Sequence, residues 1–432
     1  MPEKIFSIPR GTSDIMPEEV SSWQDIEQKA RRVFNIYGFK EIRTPFFEET
    51  ELFVRSMGQA SDVVQKQMLN IQSQYLQGED EKSVRLSLRP ENTASVVRSY
   101  IQNRLDKKEG LSKLYYIGAM FRGERPQKGR LRQFHQMGVE AIGPDGASAY
   151  LDVEVISLAV HLLKSFGLNN FKLKINTLGS GEDKENFSKY LRAELKSRLQ
   201  NLCVDCQSRF ERNVFRILDC KNNGCQKQVS QINLSDSYLS KESREYFNQV
   251  KKGLSDLKID YEVSAKLVRG LDYYTHTVFE ISCPDLGSQD ALGAGGRYNR
   301  LVSQLGGPDV PAVGFALGIE RILLALGEKA VVEEEGLDSF IIALDQNAFQ
   351  EGLAILNQLR LQGISCDIDY TLASMKSLMR LANKLKAKKV IILGENELKK
   401  EVVLLKNMAE STQEEVSIKN KNYSTLINIL ER

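Results

Sequence analysis

The chain has 432 residues, enough for two or three domains and a sizeable core. Its 41% hydrophobic and 27% charged content is that of an ordinary globular chain, and 59 basic against 57 acidic residues leave a net charge of +2, so any polyanion site must be a local patch. Six cysteines are too few for a disulfide scaffold, and no apolar run approaches the ~20 residues that span a bilayer.

The start, MPEKIFSIPRGTSDIMPEE, mixes charge and proline without the apolar core of a secretory signal, so a cytoplasmic chain is expected. Trp23, Ile26, Ala30, Val33 and Tyr37 then fall on one helical stripe stopped by Gly38, and a strand carrying Pro45 follows. Residues 57–82 are polar, Gln-rich and weakly periodic, which reads as a mobile loop or a short hairpin. Residues 83–100, SVRLSLRPENTASVVRSY, read as strand, turn and helix, with Glu91 and Thr93 exposed at the junction. Taken alone, Glu91 is an acidic residue favourably placed at a helix N-terminus.

Residues 114–143, LYYIGAMFRGERPQKGRLRQFHQMGVEAIG, hold two aromatic and aliphatic segments around a turn loaded with Arg125, Lys128, Arg130 and Arg132. Pro126 and Gly129 break that turn, so the stretch is expected to be an antiparallel hairpin with a cationic end. Strand alternation puts Phe134, Gln136, Gly138 and Glu140 on one surface: an aromatic plate, an amide, a gap and a carboxylate. A solvated edge would account for the charges but not for this row. Arg122 beside the turn adds a phosphate-binding fork to a stacking surface and an acceptor.

Residues 149–165 read as an amphipathic helix closed by Gly167, with His161 as a core histidine. FKLKINTLGS follows as a strand, and residues 182–257 are charged and mostly helical. Within them stands Cys203-x2-Cys206-x13-Cys220-x4-Cys225. A structural zinc site and free thiols both fit, since the second half departs from the paired C-x2-C spacing; a redox C-x2-C lacks its βαβ context.

LVRGLDYYTHTVFEI, residues 267–281, reads as a strand, a turn at Gly270 and a second strand, with His276 at a turn position without chemistry. ALGAGGRYNRLV, residues 291–302, is Gly-rich and by itself a weak signal. AVGFALGIERILLAL, residues 312–326, is a small-residue strand running into a helix with Arg321 at the junction. A charged linker follows, and then alternating strands and helices form a small α/β domain. Lys376, Arg380, Lys384, Lys386, Lys388 and Lys389 make it basic along one helix, either a solvated face or a nucleic-acid contact.

FRGERPQKGRLRQFHQMGVE resembles motif 2 of class II aminoacyl-tRNA synthetases, in the form found in histidyl-tRNA synthetases. LRPENTASVVR is similar to that family's LRPE-T segment, and LVRGLDYYTHTVFEI and ALGAGGRYNRLV are similar to its two histidine-specific motifs. AVGFALGIERILLAL resembles motif 3, PRGTSDIMPEE the N-terminal signature, and the helix, glycine and strand before the hairpin motif 1, the family's dimer interface. The last domain resembles the anticodon-binding domain of class IIa synthetases. Residues 57–82 depart from the family, which usually carries aromatic strand residues there.

The resemblance implies an α+β fold: a class II antiparallel β-sheet core flanked by helices over residues 1–330, interrupted by a helical insertion at about 182–257, with an α/β anticodon-binding domain at 337–432. It implies that histidine and ATP give histidyl-adenylate and pyrophosphate, and that histidine then passes to the 3′ end of tRNA(His). ATP is a substrate with Mg²⁺ on its phosphates, and the implied partners are tRNA(His), histidine, ATP and a second copy in a homodimer, with no membrane. Arg269 and Arg122 take the catalytic roles. Glu91, Thr93, Gln136, Glu140, Arg269, Tyr273 and Tyr274 bind histidine; Arg122, Glu124, Arg130, Phe134 and Arg321 bind ATP; no residue is assigned to a metal. A regulatory paralogue that binds histidine would typically lack the anticodon domain and the ATP arginines, both present here. A class IIa synthetase for threonine or proline would lack LVRGLDYY and GAGGRY.

Overall fold

The computed structural model describes residues 6–59, 61–72, 85–108, 110–332 and 336–431, and the chain divides into two compact units, Met1–Val332 and Glu333–Arg432. In the first unit the strands are β1 (Lys40–Glu41), β2 (Phe47–Glu49), β3 (Leu69–Ile71), β4 (Leu86–Leu88), β5 (Ser112–Phe121) and β6 (Gln133–Ile142). They continue with β7 (Lys172–Thr177), β8 (Glu262–Val263), β9 (Thr275–Ser282), β10 (Ala291–Arg297) and β11 (Ala312–Gly318). Eight of them form one sheet in the order β1-β5-β6-β11-β10-β9-β7-β8. Its interior is antiparallel, and only the edge pairs β1/β5 and β7/β8 are parallel. The small sheet β2-β4-β3 stands apart in pairing.

The hairpin of β5 and β6 runs in unbroken register from Ser112 opposite Ile142 to Phe121 opposite Gln133. Period-2 alternation then divides β6 between two environments. Met137, Val139 and Ala141 point into a core shared with Ile26, Ala30 and Phe34 of helix Pro17–Ile36 and with Val155, Leu158 and Leu162 of helix Ala149–Ser165. Helix Lys241–Asp256 adds Val250 and Leu254 to the same core. Phe134, Gln136 and Glu140 face the other way, into a cleft. The apolar stripe of the first helix, which ends before Gly38 at φ +77°, therefore holds the back of the sheet whose front carries the polar row.

Several local expectations are corrected. Glu91 and Thr93 are buried rather than exposed, because helix Thr93–Gln102 lies beneath the cleft and both its first residues and its neighbours Ser95, Val96 and Val97 are enclosed. His161 is exposed, not a core residue: it lies on the stripe of Glu154, Ser157 and Lys164, the outward side of its helix. Leu267–Arg269 is not a strand. Among the described residues it has no sheet neighbour and is held instead by Asn176, whose side-chain amide donates to Leu267 O at 3.0 Å, and by an ion pair of Arg269 with Glu280. His276 sits within β9 rather than in a turn, at φ +44° where β9 and β10 shift register. Of residues 57–82, positions 62–66 form a short helix and 69–71 strand β3, which pairs antiparallel with β4; positions 73–82 lie outside the described residues.

Residues 182–257 lie within the first unit, and among the described residues they hold helices and 3₁₀ turns but no strand. The second unit contains β12 (Ser339–Ala343), β13 (Cys366–Ile368), β14 (Lys389–Leu393), β15 (Val402–Asn407) and β16 (Gln413–Ser417), ordered β13-β12-β14-β15-β16. β12 pairs in parallel with β13 and β14, the rest antiparallel. Its basic helix, Met375–Lys384, ends earlier than expected, so Lys386, Lys388 and Lys389 lie beyond it, with Lys388 on Asp338 and Lys389 Nζ on Ile429 O.

Candidate active site

A cleft of about 890 Å³ opens on the polar face of β6. Phe134, Gln136 and Glu140 line its floor in the order that alternation requires. Gly138 is not an empty place in that row. Tyr116 stands opposite it on β5, and a Cβ at Gly138 would overlap Tyr116 Oη and Phe315 O. Gly314 is similarly required, since a Cβ there would run into the Glu140 carboxylate.

Glu140 is the most deeply placed carboxylate of the cleft. Thr93 Oγ1 donates to its Oε1 at 2.7 Å, and Tyr298 Oη donates to its Oε2. Burial pushes its carboxyl up to about 8 despite those two bonds, with the neighbouring charge of Glu91 adding to the rise. Glu91 accepts from the backbone N–H of Thr93 at 2.7 Å and of Ala94 at 3.0 Å, closing the start of its own helix. It therefore fills the local capping role and lines the cleft as well. Gln136 Oε1, Tyr116 Oη and Arg269 Nε are buried and have no hydrogen-bond partner among the described residues. Such groups are costly unless something else satisfies them, and all three residues line this cleft.

Arg122, Arg130, Arg269 and Arg321 bring guanidinium groups to the same space. Arg122 Nε donates to Pro90 O at 2.9 Å, and its Cζ lies 5.1 Å from the centre of the Phe134 ring. Arg130 pairs with Glu124 at 3.3 Å. Arg321 donates to Gly129 O at 3.1 Å and to Ala291 O at 2.5 Å, tying the hairpin turn to β10. Arg269 holds Glu280 at 2.6 Å. Burial lowers the pKa of Arg122 and Arg321, and Arg130 lowers both further by its like charge. Concentrated positive charge in a desolvated site attracts a polyanion. With Tyr273 and Tyr274, whose ring centres lie 4.6 Å apart, all twelve residues expected to bind histidine or ATP line this one cleft.

The family profile described as histidyl-tRNA synthetase matches residues 11–322, and one described as an anticodon binding domain matches residues 338–421. The chain belongs to the histidyl-tRNA synthetase family. It is 44% identical to the histidine–tRNA ligase of Syntrophotalea carbinolica over 386 residues, covering 89% of this chain and 90% of that one. It is 43% identical to that of Bacillus subtilis over 395 residues, covering 90% and 91%. Among solved structures, apo S. aureus histidyl-tRNA synthetase aligns with a TM-score of 0.79 at 36% identity, covering 99% of this chain and 100% of that one.

Two tyrosines of this histidyl-tRNA synthetase family member escaped the sequence reading. Tyr298 lies inside GGRYNR, where the motif itself was a sufficient signal, but its bond to Glu140 joins residues far apart in the chain. Tyr116 could have been found from its place opposite Gly138. A further wall was not foreseen: Arg216, Leu218, Asp219, Cys220, Lys221 and Gln226, from the helical stretch, line the cleft beside Arg269 and Gly270. By contrast Arg297, in the same Gly-rich motif, turns away from the cleft and is enclosed with Asp152.

Proposed function

We propose that the chain is a histidine–tRNA ligase that activates histidine with ATP to histidyl-adenylate and then transfers histidine to the 3′ end of tRNA(His). The observation that carries this reading is that Arg122, Arg130, Arg269 and Arg321, an aromatic plate and a doubly hydrogen-bonded carboxyl group share one cleft. Activation needs no protein nucleophile, because the substrate carboxylate attacks the α-phosphorus itself. Catalysis then reduces to positioning and to neutralising charge.

In this assignment Arg269 spans the histidine carboxylate and the α-phosphate, its Nε being a donor without a partner among the described residues. Arg122 and Arg130, with Glu124, face the remaining phosphates. Phe134 stacks on adenine and Arg321 packs against the same nucleotide. Glu91, Thr93 and Gln136 hold the α-ammonium group. Glu140 and Tyr274 pair with the two imidazole nitrogens, with Tyr273 packed against Tyr274. A site that pairs both nitrogens rejects side chains that cannot fill both bonds. Mg²⁺ accompanies the nucleotide; it takes one or two carboxylates plus phosphate oxygens, and Glu124, lining the cleft beside Arg130, suits that donor set. When bound, the ion neutralises phosphate charge.

The remaining proposals concern organisation. Residues 1–330 act as the catalytic domain with an inserted helical domain at about 182–257, and 337–432 contact the anticodon. The chain works in the cytoplasm; among the described residues no helix is long and apolar enough to cross a membrane. It acts as a homodimer through the motif 1 region, where Ile36 is 64% and Phe47 50% exposed. Pyrophosphate exchange into ATP, measured with each standard amino acid, tests the activity. Exchange with histidine alone is expected, and exchange with none or with another amino acid would overturn it.

A further inference from the structure

Four cysteines of the helical stretch come together from three successive pieces of backbone. Cys203 caps helix Val204–Arg212, Cys206 lies within that helix, Cys220 follows the 3₁₀ turn Val214–Ile217, and Cys225 lies in helix Asn223–Val229. Their sulfur atoms all lie within 4.8 Å of one another, with Cys203 Sγ and Cys220 Sγ 3.9 Å apart. None is in a disulfide, and Cys206, Cys220 and Cys225 are buried. Four thiolates held tetrahedrally at ~2.3 Å from zinc stand about 3.8 Å from one another. Side-chain packing alone asks only that four small apolar groups be buried, not that their sulfurs converge on one point.

We propose that Cys203, Cys206, Cys220 and Cys225 bind a structural zinc ion that fixes one wall of the active-site cleft. The surrounding amides suit bound thiolates. The N–H of Cys203 points at Cys225 Sγ at 3.2 Å and that of Asn222 at Cys220 Sγ at 3.5 Å, the kind of outer hydrogen bond that orients metal-bound sulfur. The scaffold also needs a staple. Residues 199–229 consist of helices of nine and seven residues and two 3₁₀ turns, elements too short to be stable by themselves. Binding converts four thiols to thiolates, with the protons leaving to solvent. No position around such a closed four-sulfur ion remains for substrate, so its role is structural.

The consequence reaches the cleft because the same segment is clamped to it. Arg209 and Arg216 each hold Asp62 at 3.1 Å, Asn213 bonds Asp272, and Arg216 lies against Gly270, the residue after Arg269. Leu218, Asp219, Cys220, Lys221 and Gln226 line the cleft itself. Loss of the ion is expected to loosen this wall and raise KM for histidine and ATP, but the proposal stands on the sulfur geometry and not on the reaction assigned above.

The test is elemental analysis of the full-length protein purified without added metal or immobilised-metal chromatography, followed by titration with an organomercurial in the presence of a zinc indicator. Equimolar zinc, released as the four thiols are blocked, is expected. Cys203→Ser and Cys225→Ser should abolish the zinc and lower the melting temperature, while Cys366→Ser, in the second unit, should leave the zinc content unchanged. Because the cluster variants could misfold, the unmodified protein produced with cobalt in place of zinc provides the second measurement. The charge-transfer and visible bands of a tetrahedral thiolate site are expected. Protein that carries neither metal, or cobalt with an octahedral spectrum, or zinc that survives in folded Cys203→Ser, would overturn the proposal.

Discussion

Thr93 donates its hydroxyl hydrogen to Glu140 at 2.7 Å, joining the first turn of helix Thr93–Gln102 to the C-terminal part of β6. Tyr298 grips the other oxygen of the same carboxylate. Three motifs separated along the chain thereby converge on one acceptor, and the position of Glu140 in the cleft is set before any ligand arrives. An acceptor held in this way loses little further freedom on binding.

Above about pH 8, where its carboxyl is ionised, Glu140→Ala is expected to weaken histidine binding by about 1.5–3 kcal/mol, the range of a hydrogen bond to a charged group, while ATP binding changes little. Calorimetric titration with each ligand separately checks this. Equal losses for both would remove Glu140 from amino-acid recognition.

Stability should carry the signature of the same residue. Burial raises the Glu140 carboxyl from 4.5 to about 8, so the folded state binds the proton more tightly than the unfolded chain does. Its contribution is therefore full below about 4.5 and is lost as the pH rises through about 8. Urea denaturation at a series of pH values is expected to show stability declining across that window, and Glu140→Gln should flatten the decline. A variant with the same slope as the parent would show that another group is responsible.

Arg269→Ala should slow adenylate formation by roughly 10²–10³, as for removal of a donor aimed at charge that develops during reaction, with only a modest change in histidine affinity. Single-turnover measurement separates the two. An unchanged rate would leave Arg269 with no function beyond its pair with Glu280.

Phe47→Asp places a charge on an exposed apolar surface in the stretch assigned to the dimer interface. Sedimentation should show the monomer, with the melting behaviour of each unit otherwise kept. A variant that sediments like the parent would move the interface elsewhere.

Asp152 and Arg297 form an ion pair with both side chains fully enclosed, bonded at 2.6 and 2.9 Å. Removing one member leaves an uncompensated buried charge, so Asp152→Ala should cost about 3–5 kcal/mol of stability. Chemical denaturation measures this directly, and a loss below ~1 kcal/mol would mean that water or Tyr246, which bonds Asp152 at 3.1 Å, replaces the lost partner.

Periodicity alone settled a good deal of this molecule. Alternation in β6 assigned Phe134, Gln136 and Glu140 to one face and the 3.6-residue stripe assigned Ile26, Ala30 and Val33 to the core, while the family resemblance singled out twelve residues that line the cleft. These are local properties, because the direction of a side chain follows from the backbone of its own element. Which group meets which is not local. The burial of Glu91, the bond from Tyr298 to Glu140, the filling of the Gly138 gap by Tyr116 and the meeting of four cysteines each depend on the pairing of distant segments. Only the packed sheet and the helices around it decide those partners, since burial and hydrogen bonding are properties of the surroundings that the chain creates on folding.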